Sequence, residues 1–176
     1  MAGTVARDAG DAAVAALAES VKDAAEHQFV VDAIVDALGD RCRSLDVAVT
    51  PEIARFSSVA HLVTPIRAVL ADPAPSALDL ARLLHPTPAV GGTPRAAALT
   101  LIRELELRDR GRYAGPVGWV DARGNGEWGI ALRCAEVGGR RARLFAGCGI
   151  VAGSDPVAEL AETQAKFAVM QFALEA

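Results

Sequence analysis

The chain has 176 residues, of which 52% are hydrophobic and 23% charged, a composition typical of one globular domain with a buried core. Its net charge of −4 at pH 7 disfavours nucleic-acid binding, which usually depends on a basic surface. The lack of a membrane-length apolar run and of an apolar signal sequence predicts a cytoplasmic protein with no membrane partner.

The first half of the chain combines helical and strand patterns. Apolar residues recur at three- and four-residue steps from Asp11 to about Leu38, which predicts one long helix. The stretches "LDVAVT" and "VAHLVT" are typical of strands. The next predicted helix, "SALDLARLL", has Ser76 as its N-cap, and "TPRAAALTLIRELEL" predicts a helix capped by Thr93 with Pro94 in its first turn.

The second half is predicted to form strands and then a helix. The stretch "PVGWVDARGNGEWGIALRCAEVGGRRARLFAGCGIV" alternates apolar and polar residues around "GNG" and "GG", which predicts an antiparallel meander. A final helix is expected from about Asp155 to Leu174, capped by Ser154 or Asp155. Because helices and strands are segregated, the predicted class is α+β, with antiparallel sheets and helices packed outside.

Two predicted helices carry acidic residues three positions apart. In the last helix Glu159, Glu162, Thr163 and Lys166 form one polar stripe on an otherwise mostly apolar helix, and a surface ion pair between Glu162 and Lys166 is the simplest interpretation. In the first helix Asp23, Glu26 and His27 share a face, for which solvent exposure is again the simplest interpretation. Together the two helices could supply carboxylates to Mg²⁺, which prefers oxygen ligands.

Other residues suit an anionic ligand. Gly147 and Gly149 in "FAGCGIV" leave backbone N–H groups accessible to carboxylate oxygens. Arg133, predicted on the preceding strand, is either a bidentate carboxylate clamp or a solvated strand charge. Tyr113 lies in a predicted turn, and His61, inside an apolar strand, is more typical of a core histidine than of a catalyst.

Seven segments in register resemble the chorismate-utilising enzymes, and within them most closely the isochorismate synthases. They are "MAGTVARD", "ESVKDAAEH", "AHLVT", "HPTPAVGGTPR", "RYAGPVGWVDARGNGEWGIALRCA", "FAGCGIVAGSDP" and "ELAETQAKF". The resemblance implies a Mg²⁺-dependent isomerisation of chorismate to isochorismate, a precursor in menaquinone and siderophore biosynthesis. It also implies that "HPTPAVGG" forms a rigid pocket wall, in which the small Ala89 helps to select the nucleophile.

The resemblance implies a role for each matching residue. Glu26 and Glu162 correspond to Mg²⁺ ligands, with Asp23 and Glu159 as direct or water-mediated partners. The clamp on the enolpyruvyl carboxylate corresponds to Arg133, Tyr113 and the Gly147 backbone. The remaining substrate-binding residues implied by the match are Thr4, His61, Ala89 and Lys166.

The family reaction uses a lysine general base and a glutamate general acid, both upstream of the segment that matches residues 1–8. We therefore expect residues 1–176 to form, without an internal boundary, the C-terminal portion of a chorismate-binding catalytic domain, about half of the family fold. We expect the isolated chain to be inactive and to self-associate through apolar surface left uncovered. The alternatives are a sibling enzyme that makes salicylate, anthranilate or aminodeoxychorismate, and a non-catalytic chorismate-binding or assembly subunit.

Overall fold

Groups of helices alternate with groups of antiparallel strands along the chain. The computed structural model describes residues 2–6, 10–55 and 59–175. The helices within these ranges are α1 (Gly10–Glu19), α2 (Val21–Gly39), α3 (Ala77–Leu84), α4 (Pro88–Gly91), α5 (Arg95–Leu105) and α6 (Pro156–Glu175). The strands are β1 (Ala2–Ala6), β2 (Cys42–Val47), β3 (Glu52–Arg55), β4 (Val59–Val63), β5 (Ile66–Leu70), β6 (Pro116–Val120), β7 (Gly126–Ile130), β8 (Cys134–Gly138) and β9 (Arg141–Phe145).

The strands form four small sheets, and every pairing is antiparallel. Strand β4 lies between β1 and β3, strands β2 and β5 pair with each other, and β6–β7 and β8–β9 are separate two-stranded hairpins. The α+β class is confirmed, but a single meander is wrong because β7 and β8 do not pair. The chain turns between them at Arg133, whose φ of 51° is incompatible with an extended strand.

Several predicted element boundaries are wrong. The N-terminal helix is two helices, because Ser20 interrupts it and accepts a hydrogen bond from the backbone N–H of Asp23 as the N-cap of α2. Helix α5 has Pro94, and not Thr93, at its N-cap position. Ser76 is confirmed as the N-cap of α3, where it also forms a capping box with Asp79, and Asp155 accepts from the backbone N–H of Ala158 at the start of α6. Strands β3 and β5 were not predicted.

The buried core lies where α1 and α2 meet strand β4. Its apolar members come from all three elements, and α2 adds a histidine: the side chain of His27 is only 2% exposed. Its Nε2 lies 2.7 Å from Thr64 Oγ1, within hydrogen-bond distance, and burial lowers the pKa of the ring. A solvent-exposed His27 is therefore a wrong prediction, because His27 shares its helix face with Val30 and Val31, both of them buried.

Helix α6 presents its polar stripe to the protein and much of its apolar surface to solvent. Glu159 is 4% exposed, whereas Val157, Leu160 and Phe172 are 76%, 61% and 77% exposed. Uncovered apolar surface was expected, but it lies on a helix whose apolar sides were predicted to be buried. The accessible surface is 11798 Å² for 18.2 kDa, whereas a compact monomer of this mass exposes about 8,100 Å². In the described residues, helices with the length and apolarity of a membrane span are absent.

The buried contact between His27 and Thr64 generates a stability prediction. Replacing His27 by Ala removes a packed ring and its hydrogen bond, so we expect the free energy of unfolding to fall by about 2–4 kcal/mol. The neighbouring Gln28 is exposed and bonds only across the helix surface to Asp32, so Gln28→Ala should change it by less than about 0.5 kcal/mol. Urea unfolding measures both, and equal losses would contradict the assignment of His27 to the core.

Candidate functional site

Lys166 of α6 reaches the backbone of the coil segment that follows β9. Its Nζ donates to the carbonyl of Gly147 over 2.9 Å and lies 2.6 Å from Glu162 Oε1, one helical turn away. Only 10% of the Lys166 side chain is exposed, so the ammonium is largely removed from water and depends on these two partners. The predicted ion pair between Glu162 and Lys166 is confirmed, but its location on an exposed surface is wrong, because Lys166 faces the protein and Glu162 is half-buried.

The same coil segment meets Glu26 of α2. A Cβ atom added at Gly149 would collide with the carboxylate of Glu26, so any larger residue at position 149 would have to displace that carboxylate. Glu162, 136 positions after Glu26 in the chain, is connected to the same segment through Lys166, which pairs with Glu162 and donates to Gly147. The structure therefore places Glu26 of α2 at one end of the segment and the Glu162–Lys166 pair of α6 at the other.

Between the two glycines, Cys148 contacts the polar stripe of α6. Burial raises the pKa of its thiol; hydrogen bonding to Thr163 and the charge of Lys166 oppose this shift, and Glu159 adds to it. Glu159 is therefore a buried carboxylate beside the segment; three members of the predicted stripe, Glu159, Thr163 and Lys166, interact with residues 147–149, and the fourth, Glu162, pairs with Lys166. The thiol was not predicted as part of the site, although it lies in the quoted "FAGCGIV" motif.

Tyr113 approaches the segment from the turn before β6. A Cβ added at Gly147 would lie 3.2 Å from the Tyr113 hydroxyl, and the Tyr113 ring stacks on Phe145 at 5.3 Å between centroids. Burial raises the pKa of the phenol, and the positive charges of Arg110 and Arg133 lower it. Tyr113 and Gly147 are thus neighbours, with the charge of Arg133 close enough to act on the phenol.

Arg133 differs from its predicted place on a strand. It lies half-buried in the connection between β7 and β8, with φ in the left-handed region that costs a non-glycine residue about 1–2 kcal/mol. The residue type gives no indication of this conformation. It is set by backbone hydrogen bonds of the flanking segments: the N–H of Ala114 donates to the carbonyl of Ala131, and the N–H of Ala131 donates to the carbonyl of Gly115. The backbone conformation fixes the direction in which the guanidinium leaves the chain.

Other predicted site residues occupy separate places in the fold. Ala89 is exposed on α4, which packs against α2 and α5. His61 is half-buried in β4, paired in register with Thr4 of β1, whose side chain lies outside the described part of the structure. Asp23 is half-buried in the first turn of α2. Among residues 2–6, 10–55 and 59–175, no three His, Cys, Asp or Glu side chains cluster tightly enough to hold a metal ion by themselves.

The close approach of Gly149 to Glu26 can be tested by substitution. In Gly149→Ala the new methyl group displaces the Glu26 carboxylate, which is the flexible end of its side chain, so we expect a loss of at most about 1 kcal/mol in the free energy of unfolding. Gly153→Ala is the matched control, because nothing lies within 4 Å of a Cβ at Gly153. In a Glu26→Ala background the cost of Gly149→Ala should largely disappear in urea unfolding; an unchanged cost would show that Glu26 is not the colliding group.

Comparison with known proteins gives one consistent result. Residues 1–175 match the family model described as "Chorismate binding enzyme". The chain is 50% identical to the salicylate biosynthesis isochorismate synthase of Pseudomonas aeruginosa, covering 100% of this chain and 38% of that protein. It is 48% identical to the isochorismate synthase DhbC of Bacillus subtilis, covering 89% and 39%.

Solved structures agree with the sequence comparison. The fold superposes on MenF, the menaquinone-specific isochorismate synthase from Escherichia coli, with a TM-score of 0.82 and 34% identity, covering 97% of this chain and 40% of MenF. The chain therefore spans about two fifths of the length of these relatives. With residues 1–175 matched by the family model and the fold shared, the chain belongs to the chorismate-binding enzymes, as a partial chain of the isochorismate synthase type.

Proposed function

We propose that this chain is the metal- and carboxylate-binding portion of a Mg²⁺-dependent isochorismate synthase that acts on chorismate. One observation carries the proposal: acidic side chains from α2 and α6 and the hydroxyl of Tyr113 meet the backbone of residues 147–149. A segment with acidic groups on two sides and hydrogen-bond donors nearby is suited to a cation together with an anionic ligand.

The donor set fits Mg²⁺ in its chemistry. Glu26 and Glu162 offer hard carboxylate oxygens, with Glu159 and Asp23 as the further acidic groups of the same two helices. Mg²⁺ usually takes one or two protein carboxylates and completes its coordination with water and substrate oxygens, so a ready-made cage of three side chains is not required. Bound there, Mg²⁺ would supply positive charge for the ring carboxylate of chorismate.

Lys166 keeps Glu162 paired when no metal is bound. Its ammonium lies between the Glu162 carboxylate and the Gly147 carbonyl, so it neutralises the charge of a half-buried acidic group. A metal ion at Glu162 therefore competes with Lys166 for the same carboxylate. Lys166 is then free to turn toward a substrate carboxylate without leaving the site.

The second carboxylate of chorismate is assigned to the Gly147 end of the segment. Tyr113 presents a hydroxyl beside Gly147, and burial raises the pKa of its half-buried phenol, which favours the protonated form that can donate a hydrogen bond. Arg133 supplies a bidentate guanidinium on a backbone held in an uncommon conformation. A donor hydroxyl, a fixed cation and bare backbone form the clamp that we propose for the enolpyruvyl carboxylate.

The direct test is chorismate binding by the purified chain with and without Mg²⁺, measured by isothermal titration calorimetry. We expect Mg²⁺ to lower the chorismate Kd and chorismate to lower the Mg²⁺ Kd by the same factor, because the two effects are thermodynamically linked. Glu26→Gln should abolish this coupling, and Arg133→Lys should raise the Kd for chorismate about tenfold by removing the bidentate fork.

Two substitutions serve as matched controls for this test. Glu19→Gln removes an exposed acid on the neighbouring helix α1, and Arg140→Lys changes an exposed arginine in the turn between β8 and β9. Both should leave the chorismate Kd and its coupling to Mg²⁺ unchanged. A chorismate Kd that changes neither with Mg²⁺ nor with Glu26→Gln or Arg133→Lys would overturn the proposed site.

The exposed apolar surface of α6 predicts self-association of the chain. Replacing both Leu160 and Phe172 by Gln should give a monomer in sedimentation velocity at concentrations where the unmodified chain associates. Because both side chains are exposed, the unfolding free energy should change by less than about 0.5 kcal/mol. Val49→Gln, at an apolar residue 99% exposed in the β2–β3 loop, is the control and should leave association unaltered. If the double variant associated as strongly as the unmodified chain, the self-association surface would not include Leu160 and Phe172.

A further inference from the structure

We propose that Arg110 is a positioning residue that holds the "HPTPAVGG" wall and the Tyr113 ring in a fixed relation, and thereby sets the affinity of the site for its substrate. The inference rests on the proposed function. It adds a residue for which neither the sequence pattern nor the family resemblance indicated a role, and which lies outside the acidic and clamp residues described above.

Three side-chain hydrogen bonds hold the Arg110 guanidinium. Nε and Nη2 donate to the two carboxylate oxygens of Glu106 over 2.8 and 2.6 Å, a bidentate pair, and Nη1 donates to the backbone carbonyl of Val90 over 2.6 Å. Only 27% of the Arg110 side chain is exposed. Glu106 is the C-cap residue of α5, so Arg110 ties the end of α5 to the α4 segment that carries Ala89.

The same guanidinium contacts Tyr113. Its Cζ lies 5.9 Å from the centroid of the Tyr113 ring, and the backbone carbonyl of Arg110 accepts from the N–H of Tyr113 over 2.9 Å. The ring also stacks on Phe145, which places the phenol hydroxyl beside Gly147. Arg110 therefore contacts the pocket wall at Val90 and the proposed clamp at Tyr113 with one rigid, planar group.

Geometry explains why this role needs arginine. The planar guanidinium makes three contacts in fixed directions at once. It donates hydrogen bonds to the Glu106 carboxylate and the Val90 carbonyl, and it lies beside the Tyr113 ring. An ammonium at the end of a lysine side chain is a single point charge and cannot span Glu106 and Val90 with the same geometry. Replacing the guanidinium by an ammonium removes the hydrogen bond to the Val90 carbonyl and the contact on one side of the Tyr113 ring.

The test compares Arg110→Lys with Arg112→Lys, which changes an exposed arginine of the same turn. We expect Arg110→Lys to raise the chorismate Kd of the chain about tenfold in the presence of Mg²⁺, and Arg112→Lys to leave it unchanged. In a Tyr113→Phe background the effect of Arg110→Lys should shrink, because the two residues act through one contact. The role would be overturned if Arg110→Lys changed the chorismate Kd no more than Arg112→Lys does. It would also be overturned if the effects of Arg110→Lys and Tyr113→Phe on the binding free energy were fully additive.

A second readout needs no ligand, because Tyr113 is the only tyrosine of the chain. Its phenol titration, followed by ultraviolet absorbance, should move to higher pH in Arg110→Gln, since the charge of Arg110 lowers the pKa of Tyr113. Arg112→Gln should not move it. If the unmodified chain does not bind chorismate but Arg110→Gln shifts the phenol titration, the proposed function fails and the Arg110–Tyr113 contact stands; if chorismate binds and no shift occurs, the positioning role fails alone.

Discussion

The ion pair of Lys166 and Glu162 against the Gly147 carbonyl determines which side of α6 faces the rest of the fold. Burying an ammonium and a carboxylate is favourable only when both keep hydrogen-bond partners, and this arrangement supplies them from the same helix and from one backbone carbonyl. Because the polar stripe faces inward, the broad apolar surface of α6 faces outward. The orientation of one helix thus explains the inward-facing polar stripe and the exposed apolar surface together.

Glycines on either side of Cys148 allow this arrangement. At one end the chain passes close to the phenol hydroxyl of Tyr113, and at the other the carboxylate of Glu26 occupies the place that a Cβ at Gly149 would take. The backbone between them is therefore accessible to ligands from the directions that side chains would normally cover. Polar groups from α2, α6 and the turn before β6 can meet at one segment only because that segment contributes so little volume of its own.

Patterns with local causes were predicted well from the sequence. Helix α3 and its capping box depend on neighbours three residues apart, and the α+β class follows from segregated helical and strand periodicities. The failures have distant causes. His27 is buried because Thr64, 37 residues away, can bond it, and Arg133 leaves the strand region because flanking segments hold it there.

The candidate site shows the same division. The acidic spacing on the two helices was visible in the sequence, but the inward direction of the α6 stripe was not, since hydrophobic periodicity by itself predicts that the apolar side is buried. The role of Arg110 was not predicted for a similar reason, because its three partners lie at the end of α5, in α4 and in the turn before β6. Which charged residues lie at the candidate site depends on tertiary contacts, and these contacts cannot be inferred from local sequence patterns.

The hairpins β6–β7 and β8–β9 stand apart from the three-stranded sheet around β4. Two-stranded sheets are marginal by themselves, and their edge strands expose unpaired backbone groups. The half of the chain that carries Tyr113, Arg133 and α6 should therefore open as a separate cooperative unit before α1, α2 and β4, with faster amide hydrogen exchange. A ligand bound at residues 147–149 would touch both units, so that occupancy of the site would also join their unfolding into one transition.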